Sequence, residues 1–259
     1  MKSYAKLNVF LKIVGTRGNF HEINSRFILH KELFDEIEFV ESGENNGLKI
    51  ISNIEISGEN IIQKAYSELA KFSGGVYKET LKEYFKNHAV KLTKNIPMGA
   101  GLGGGSSNAG AFLNLTNQTL NLGISKQDLV KISEFIGSDV AFFTSGLTSA
   151  NVSGLGEIVE SFDDDIPSLE IKTPDIFAST PQIYQTFRAN FMDKINPSLA
   201  KELLSLSSKE ILENYKNYEL NDLLYPFQKL NPEFKLKESE FLSGSGSSYF
   251  YIKGKNWKF

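Results

Sequence analysis

From Tyr4 to Ile13 apolar residues fall on every second position, Ala5, Leu7, Val9, Leu11 and Ile13, with Lys6, Asn8, Phe10 and Lys12 between them. A period of two is that of a strand with one face in a core, so a half-buried strand is predicted that sets Lys6 beside Asn8. His21 to Val40, rich in Ile, Phe and Leu, predicts two further strands broken near Lys31 to Leu33. The spacing then turns helical: Ile61, Ile62, Ala65, Tyr66 and Leu69 follow Asn60, a good N-cap. Val90 to Leu92 reads as a strand, and Ala109 to Leu115 as a helix opened by the glycine run MGAGLGGGSSNAGAFL. Ser125 with Asp128 forms a capping pattern, Leu129, Ile132, Phe135 and Ile136 keep helical spacing, and Gly137 is a stop, which places Asp139 just past a helix end. Thr180-Pro181 predicts another helix start, with threonine as cap and proline in the first turn. The run SGSGSSYF leads into strand-like aromatic residues, and no internal repeat is found.

The acidic, proline-bearing stretch from Ser161 to Pro167 interrupts the apolar pattern and is the expected boundary between a first domain, 1–160, and a second, 161–259. The opening MKSYAKLNVFLKIVG is read as part of the mature fold rather than a signal peptide, because Lys6 and Lys12 break its apolar run and no small-residue cleavage site follows. With 41% hydrophobic and 23% charged residues, the composition is that of a water-soluble globular chain. A formal charge of -3 gives no global electrostatic drive toward nucleic acid, and no apolar run is long enough for a membrane span. The absence of cysteine removes disulfides, thiolate metal sites and cysteine nucleophiles, and fits a cytoplasmic protein.

Gly99, Gly101 and Gly104 satisfy G-x-G-x-x-G, yet the context is wrong for a dinucleotide fold: Lys94-Asn95-Ile96-Pro97 stands where a buried strand should run directly into the loop. No Gly-Lys-Ser/Thr follows, and neither HRD nor DFG occurs, so the P-loop and protein-kinase motifs are also missing. What remains is an anion cradle: glycines let backbone amides approach a phosphate, the following helix N-terminus adds unpaired N–H groups, and Ser106 and Ser107 add hydroxyls. A flexible solvent loop is the alternative, but such loops seldom run straight into an apolar helix. Asp139 is either a tuned carboxylate at the edge of Val-Ala-Phe-Phe or an ordinary capping residue. Lys6 is either functional or a lysine that snorkels to solvent. His21-Glu22 has no second histidine at zincin spacing, so a metal cage is not expected. Phe20-His21 could offer a stacking face and a polar ring to a planar base, or belong to core and strand edge.

Taken in order, AKLNVFLKI, PMGAGLGGGSSNAG, GSDVAFF and SGSGSSYF resemble the GHMP small-molecule kinases. Within them, Lys6-Leu7-Asn8, Phe20-His21-Glu22 and Ser179-Thr180-Pro181 resemble the branch acting on the 2-hydroxyl of a cytidyl diphosphate-linked methylerythritol in non-mevalonate isoprenoid precursor synthesis. The resemblance implies a two-domain α+β fold, the first domain like the second domain of ribosomal protein S5 and the second ferredoxin-like. It implies ATP and Mg²⁺, and small-molecule partners rather than nucleic acid or membrane. It assigns Asp139 as base and Lys6 as orienting cation. Pro97, Met98, Gly99, Ala100, Gly101, Leu102, Gly103, Gly104, Gly105, Ser106 and Ser107 become the ATP phosphate loop. Asn8, Phe20, His21, Thr180, Tyr184, Gly244, Ser245 and Gly246 become the substrate side, with motif three continuing to Ser248. Two positions depart from the branch's pattern: Phe20 replaces a frequent Tyr, and Ala141 replaces a frequent Pro after Asp139-Val140. A kinase of another small alcohol, a nucleotide sensor and an S5-like RNA binder are the rival readings.

Overall fold

The computed structural model describes residues 1–56 and 60–255; the last four positions of the expected second domain lie outside the described residues. The chain begins β1 (Lys2–Arg17), β2 (Phe20–Glu41), β3 (Lys49–Ser52), α1 (Ile61–Gly75), α2 (Lys78–Asn87), β4 (His88–Thr93) and α3 (Gly104–Thr119). It continues with α4 (Lys126–Glu134), α5 (Val140–Ser145), β5 (Ser149–Gly154), β6 (Ile158–Ser161), β7 (Leu169–Lys172) and α6 (Thr180–Asn190). Last come α7 (Pro197–Leu203), α8 (Ser208–Asn214), α9 (Asn217–Leu220), α10 (Leu224–Leu230), β8 (Phe241–Leu242) and β9 (Tyr249–Ile252).

Two compact units form. The first comprises Met1–Ala5, His30–Ile96 and Gly103–Leu147; the second comprises Lys6–Leu29, Pro97–Leu102 and Thr148–Phe259. In the first, the Glu36–Glu41 part of β2 pairs antiparallel with β4, and β3 pairs parallel with β4. Helices α1 to α5 supply the apolar stripe that covers these strands: Ile37, Leu92, Ile62, Leu69, Phe85, Phe112, Leu129 and Val140 belong to one buried cluster. Asn60 caps α1 as its position predicts, its side chain accepting from the Ile62 amide. Phe135, counted in the apolar stripe of α4, is instead exposed, because the helix ends one residue before it.

In the second unit, the Ile23–Ile28 part of β2 pairs antiparallel with β5, which pairs with β6, while β7, β9 and β8 make a separate three-stranded sheet. Its core gathers Leu11, Ile13, Ile23, Ile183, Phe187, Leu223 and Phe227.

The strand expectations need two corrections. The segment from Phe20 to Glu41 is one continuous strand, not two. Lys31 and Glu32 are exposed, so the apolar pattern lapses there, but β1 pairs with β2 and the extended backbone carries on. Strand β1 is not half-buried either: Lys6, Asn8 and Lys12 are as enclosed as the apolar residues between them. Lys12 shows how such a lysine is accommodated, with Nζ paired to Asp222 and donating to the Glu219 carbonyl at 2.9 Å.

Candidate active site

In the second unit Lys6 is 3% exposed, so the snorkelling reading is set aside. Its Nζ donates to Asn8 Oδ1 and, at 3.2 Å, to the Gly101 carbonyl, and it lies 4.7 Å from the centre of the Phe27 ring. Asn8 is fixed in turn, donating from Nδ2 to Ser25 Oγ at 3.0 Å. The strand that aligns Lys6 with Asn8 also hydrogen-bonds the loop, since the Lys6 amide donates to the Leu102 carbonyl at 3.0 Å.

The two glycine-serine runs meet here. Ser243 Oγ donates to the Gly101 carbonyl at 3.1 Å, and the Ser248 amide donates to the Ala100 carbonyl at 3.1 Å. Gly101 has φ +74° and a Cβ on it would lie 2.1 Å from the Ser243 carbonyl oxygen; glycine is required by packing as well as by backbone angle. The backbone of Gly244 faces Lys6 and Asn8, its own absent Cβ falling 3.3 Å from Lys6 Nζ and 3.2 Å from Asn8 Oδ1. Gly244, far from Lys6 and Asn8 in the chain, is thus brought beside them. Ser245 Oγ hydrogen-bonds Thr180 Oγ1 at 2.7 Å. Helix α6 does start where Thr180-Pro181 predicts, but Ser179 is its cap position, which leaves the Thr180 hydroxyl available for Ser245.

His21 is buried with its ring 5.3 Å from that of Tyr184 and 5.7 Å, edge to face, from that of Phe187. Burial, and secondarily the positive charge of Arg188, push its pKa below the usual histidine value, so the ring is neutral at pH 7. Its Nε2 is buried with no hydrogen-bond partner among the described residues. Phe20 is 66% exposed beside it, and its carbonyl accepts from Arg188 at 3.3 Å.

The loop passes from Leu102 into the first unit at Gly103, which takes φ +69° and forms the N-cap of α3. The helix begins at Gly104, earlier than the apolar spacing indicates, so Gly104, Gly105 and Ser106 lie in its first turn, where amides lack intrahelical acceptors, while the Ser107 amide donates to the Gly103 carbonyl at 2.8 Å. Ser106 is half-buried and Ser107 is buried. Asp139 is half-buried at the N-terminus of α5, a helix the sequence pattern did not announce, and its side chain makes no capping hydrogen bond.

Sequence reasoning missed Ser25, Phe27 and Ser243, which hold Lys6, Asn8 and Gly101. It also missed a buried polar cluster of Ser3, Asp35, Lys94 and Asn108 behind Ser107. Two buried charges at Asp35 and Lys94 are visible in the sequence only as ordinary polar positions; their pairing is a property of the fold.

The model of the GHMP kinases N terminal domain matches residues 60–147, the stretch holding α1 to α5 and the whole of the glycine run. The fold and the loop are those of the GHMP kinase class. Among solved structures, that of 4-(cytidine 5'-diphospho)-2C-methyl-D-erythritol kinase matches 98% of this chain and 90% of its own at TM-score 0.74 and 25% identity. Methanococcus jannaschii mevalonate kinase, at TM-score 0.58 and 13% identity over 97% of this chain and 89% of its own, shares the fold alone. The 4-diphosphocytidyl-2-C-methyl-D-erythritol kinase of Campylobacter jejuni (strain 81116) is 50% identical over 258 residues, 97% of this chain and 99% of the relative. That of Sulfurimonas denitrificans is 43% identical over 260 residues, 98% and 97% of the two chains. The chain belongs to the 4-diphosphocytidyl-2-C-methyl-D-erythritol kinase family. No helix among the described residues is long and apolar enough to cross a membrane.

Proposed function

We propose that this protein transfers the γ-phosphoryl group of ATP to the 2-hydroxyl of 4-diphosphocytidyl-2-C-methyl-D-erythritol, in the cytoplasm, as a step of non-mevalonate isoprenoid precursor synthesis. The observation that carries this is the full-length identity of 50% to kinases named for that alcohol. Its partners are two small molecules rather than nucleic acid or membrane. In the functional division near residue 160, the N-terminal portion brings the phosphate loop and the base, and the C-terminal portion brings Thr180, Tyr184 and the second glycine-serine run.

Phosphoryl transfer runs through a loose transition state in which most of the charge sits on phosphate oxygens, so positioning and electrostatics supply the rate. Pro97 to Ser107 hold the ATP phosphates through loop amides and hydroxyls. Lys6, directed by Asn8 and the Gly101 carbonyl, orients the acceptor hydroxyl. Asp139 receives the hydroxyl proton, which moves late in such a transition state. Neutral His21 has one donor and one acceptor nitrogen, the complement of a pyrimidine edge, and Tyr184 and Phe20 flank the base. Ser106, a hard oxygen donor in the first turn of α3, would be the residue to help hold Mg²⁺. When bound, that ion neutralises phosphate charge.

The test is ADP release with Mg-ATP, with and without the cytidyl alcohol, with Asp139→Asn alongside. Release that depends on the alcohol and falls about 10²- to 10⁴-fold in the variant, with ATP affinity unchanged, is expected. Alcohol-independent turnover, or wild-type turnover in Asp139→Asn, would refute the reading.

A further inference from the structure

Behind Ser107 the first unit encloses a charged cluster to which the phosphoryl-transfer reading gives no role. Asp35 is fully buried and accepts from the Asn95 amide at 2.7 Å and the Ile96 amide at 2.8 Å through one oxygen. Its other oxygen pairs with Lys94 Nζ and accepts from Asn108 Nδ2 at 2.8 Å. Lys94 Nζ also donates to Asn108 Oδ1 at 3.0 Å. Gly104 must be glycine for α3 to start on this cluster, because a Cβ there would fall 2.9 Å from Ile96 Cγ2 and 3.3 Å from Lys94 Nζ.

The hydrogen-bond directions follow from charge. A lysine only donates and a carboxylate only accepts, so Lys94 and Asp35 together fix which end of the Asn108 amide is oxygen and which is nitrogen. The nitrogen has a second hydrogen, which it gives to Ser3 Oγ at 2.9 Å. Ser3, thus made an acceptor, spends its own hydrogen on Ser107 Oγ at 2.7 Å. Ser107 therefore already accepts, and its own O–H has no acceptor among the described residues. A free O–H is the polarity that an anionic phosphate oxygen requires.

We infer that Ser3 is a positioning residue for nucleotide binding: it relays the orientation set by the Asp35–Lys94 pair and Asn108 to Ser107, presenting Ser107 to phosphate as a donor. The inference rests on the phosphate-loop reading of Ser107. It places a residue of the first strand, remote from the loop in sequence, in control of ATP affinity.

The experiment is a double-mutant cycle of Ser3→Ala and Ser107→Ala, read as the dissociation constant of a non-hydrolysable ATP analogue by calorimetry, with thermal unfolding as a folding control. ATP-analogue affinity does not depend on which alcohol the enzyme accepts. Each single variant is expected to weaken binding about three- to tenfold, the range of one hydrogen bond. The double variant is expected to bind like Ser107→Ala alone, because Ser3 has nothing left to act through. Factors that multiply, or wild-type affinity in Ser3→Ala while Ser107→Ala is weak, would overturn the relay and leave the phosphate loop standing. Wild-type affinity in Ser107→Ala, or no analogue binding by the unaltered protein, would overturn the loop reading and the relay with it.

Discussion

Replacing Gly101 by alanine adds one methyl group at the point where two runs of backbone touch. The new Cβ would lie 2.1 Å from the Ser243 carbonyl oxygen and 3.0 Å from both the nitrogen and the oxygen of Gly246. Ordinary contact begins near 3.4 Å, so the backbone around Ser243 must retreat by about 1.3 Å, an overpacking that costs about 1–3 kcal/mol. A non-glycine residue at φ +74° adds about 1–2 kcal/mol. The expected loss is therefore about 2–5 kcal/mol, measured by urea unfolding. Retreat of Ser243 also disturbs its bond to the Gly101 carbonyl, which holds Lys6 at 3.2 Å, so turnover should fall beyond what stability explains. Gly105→Ala is the control: its φ is not positive and its Cβ would meet only Ile61 at 3.7 Å, so stability should stay within about 1 kcal/mol or rise slightly. Equal stability of Gly101→Ala and wild type would refute the packing argument.

The remaining predictions concern buried charge and titration. The Lys12–Asp222 pair is nearly solvent-free, so Asp222→Ala should cost about 3–5 kcal/mol by stranding a buried ammonium, whereas Lys12→Met with Asp222→Leu should recover most of it; a double variant as unstable as the single would oppose this. Burial first, then Arg188, lower the pKa of His21 in the folded state. The unfolded chain then binds more protons, and stability from this site, present above the ordinary value of about 6.5, is lost as pH falls toward the folded pKa. Thermal unfolding of wild type should accordingly fall more than that of His21→Gln on acidification below about pH 6.5; parallel profiles would show that His21 contributes nothing.

The hydrophobic period located most of the elements that carry the site, and it did so wherever one side of an element met water. Asn60, Ser125 and the aromatic residues after Ser248 stand where their chemistry suggested. The period misled where both faces are buried: alternation in β1 was read as one wet face, but Lys6, Asn8 and Lys12 are enclosed through partners as distant in sequence as Gly101 and Asp222. It misled again at Lys31 to Leu33, where polar side chains signalled a break that the backbone ladder does not make. Motif order pointed to Asp139, Lys6 and the glycine loop, yet gave a partial reason for the glycines. Gly101 and Gly104 are glycine because Ser243, Ile96 and Lys94 press against them. Such close approaches between distant segments leave no local trace, and neither does the α5 helix of six residues, too short for a periodic signal.

Because the Ser243 carbonyl occupies the space that any side chain on Gly101 would need, two stretches 142 residues apart in the chain behave as a single heritable unit. A lineage cannot enlarge position 101 without first reshaping the turn at 243–246, and it cannot reshape that turn without disturbing the carbonyl on which Lys6 rests. Random libraries that diversify one run while holding the other constant will therefore return glycine at 101 however permissive the selection, and new sequences should emerge there only when both runs are varied together.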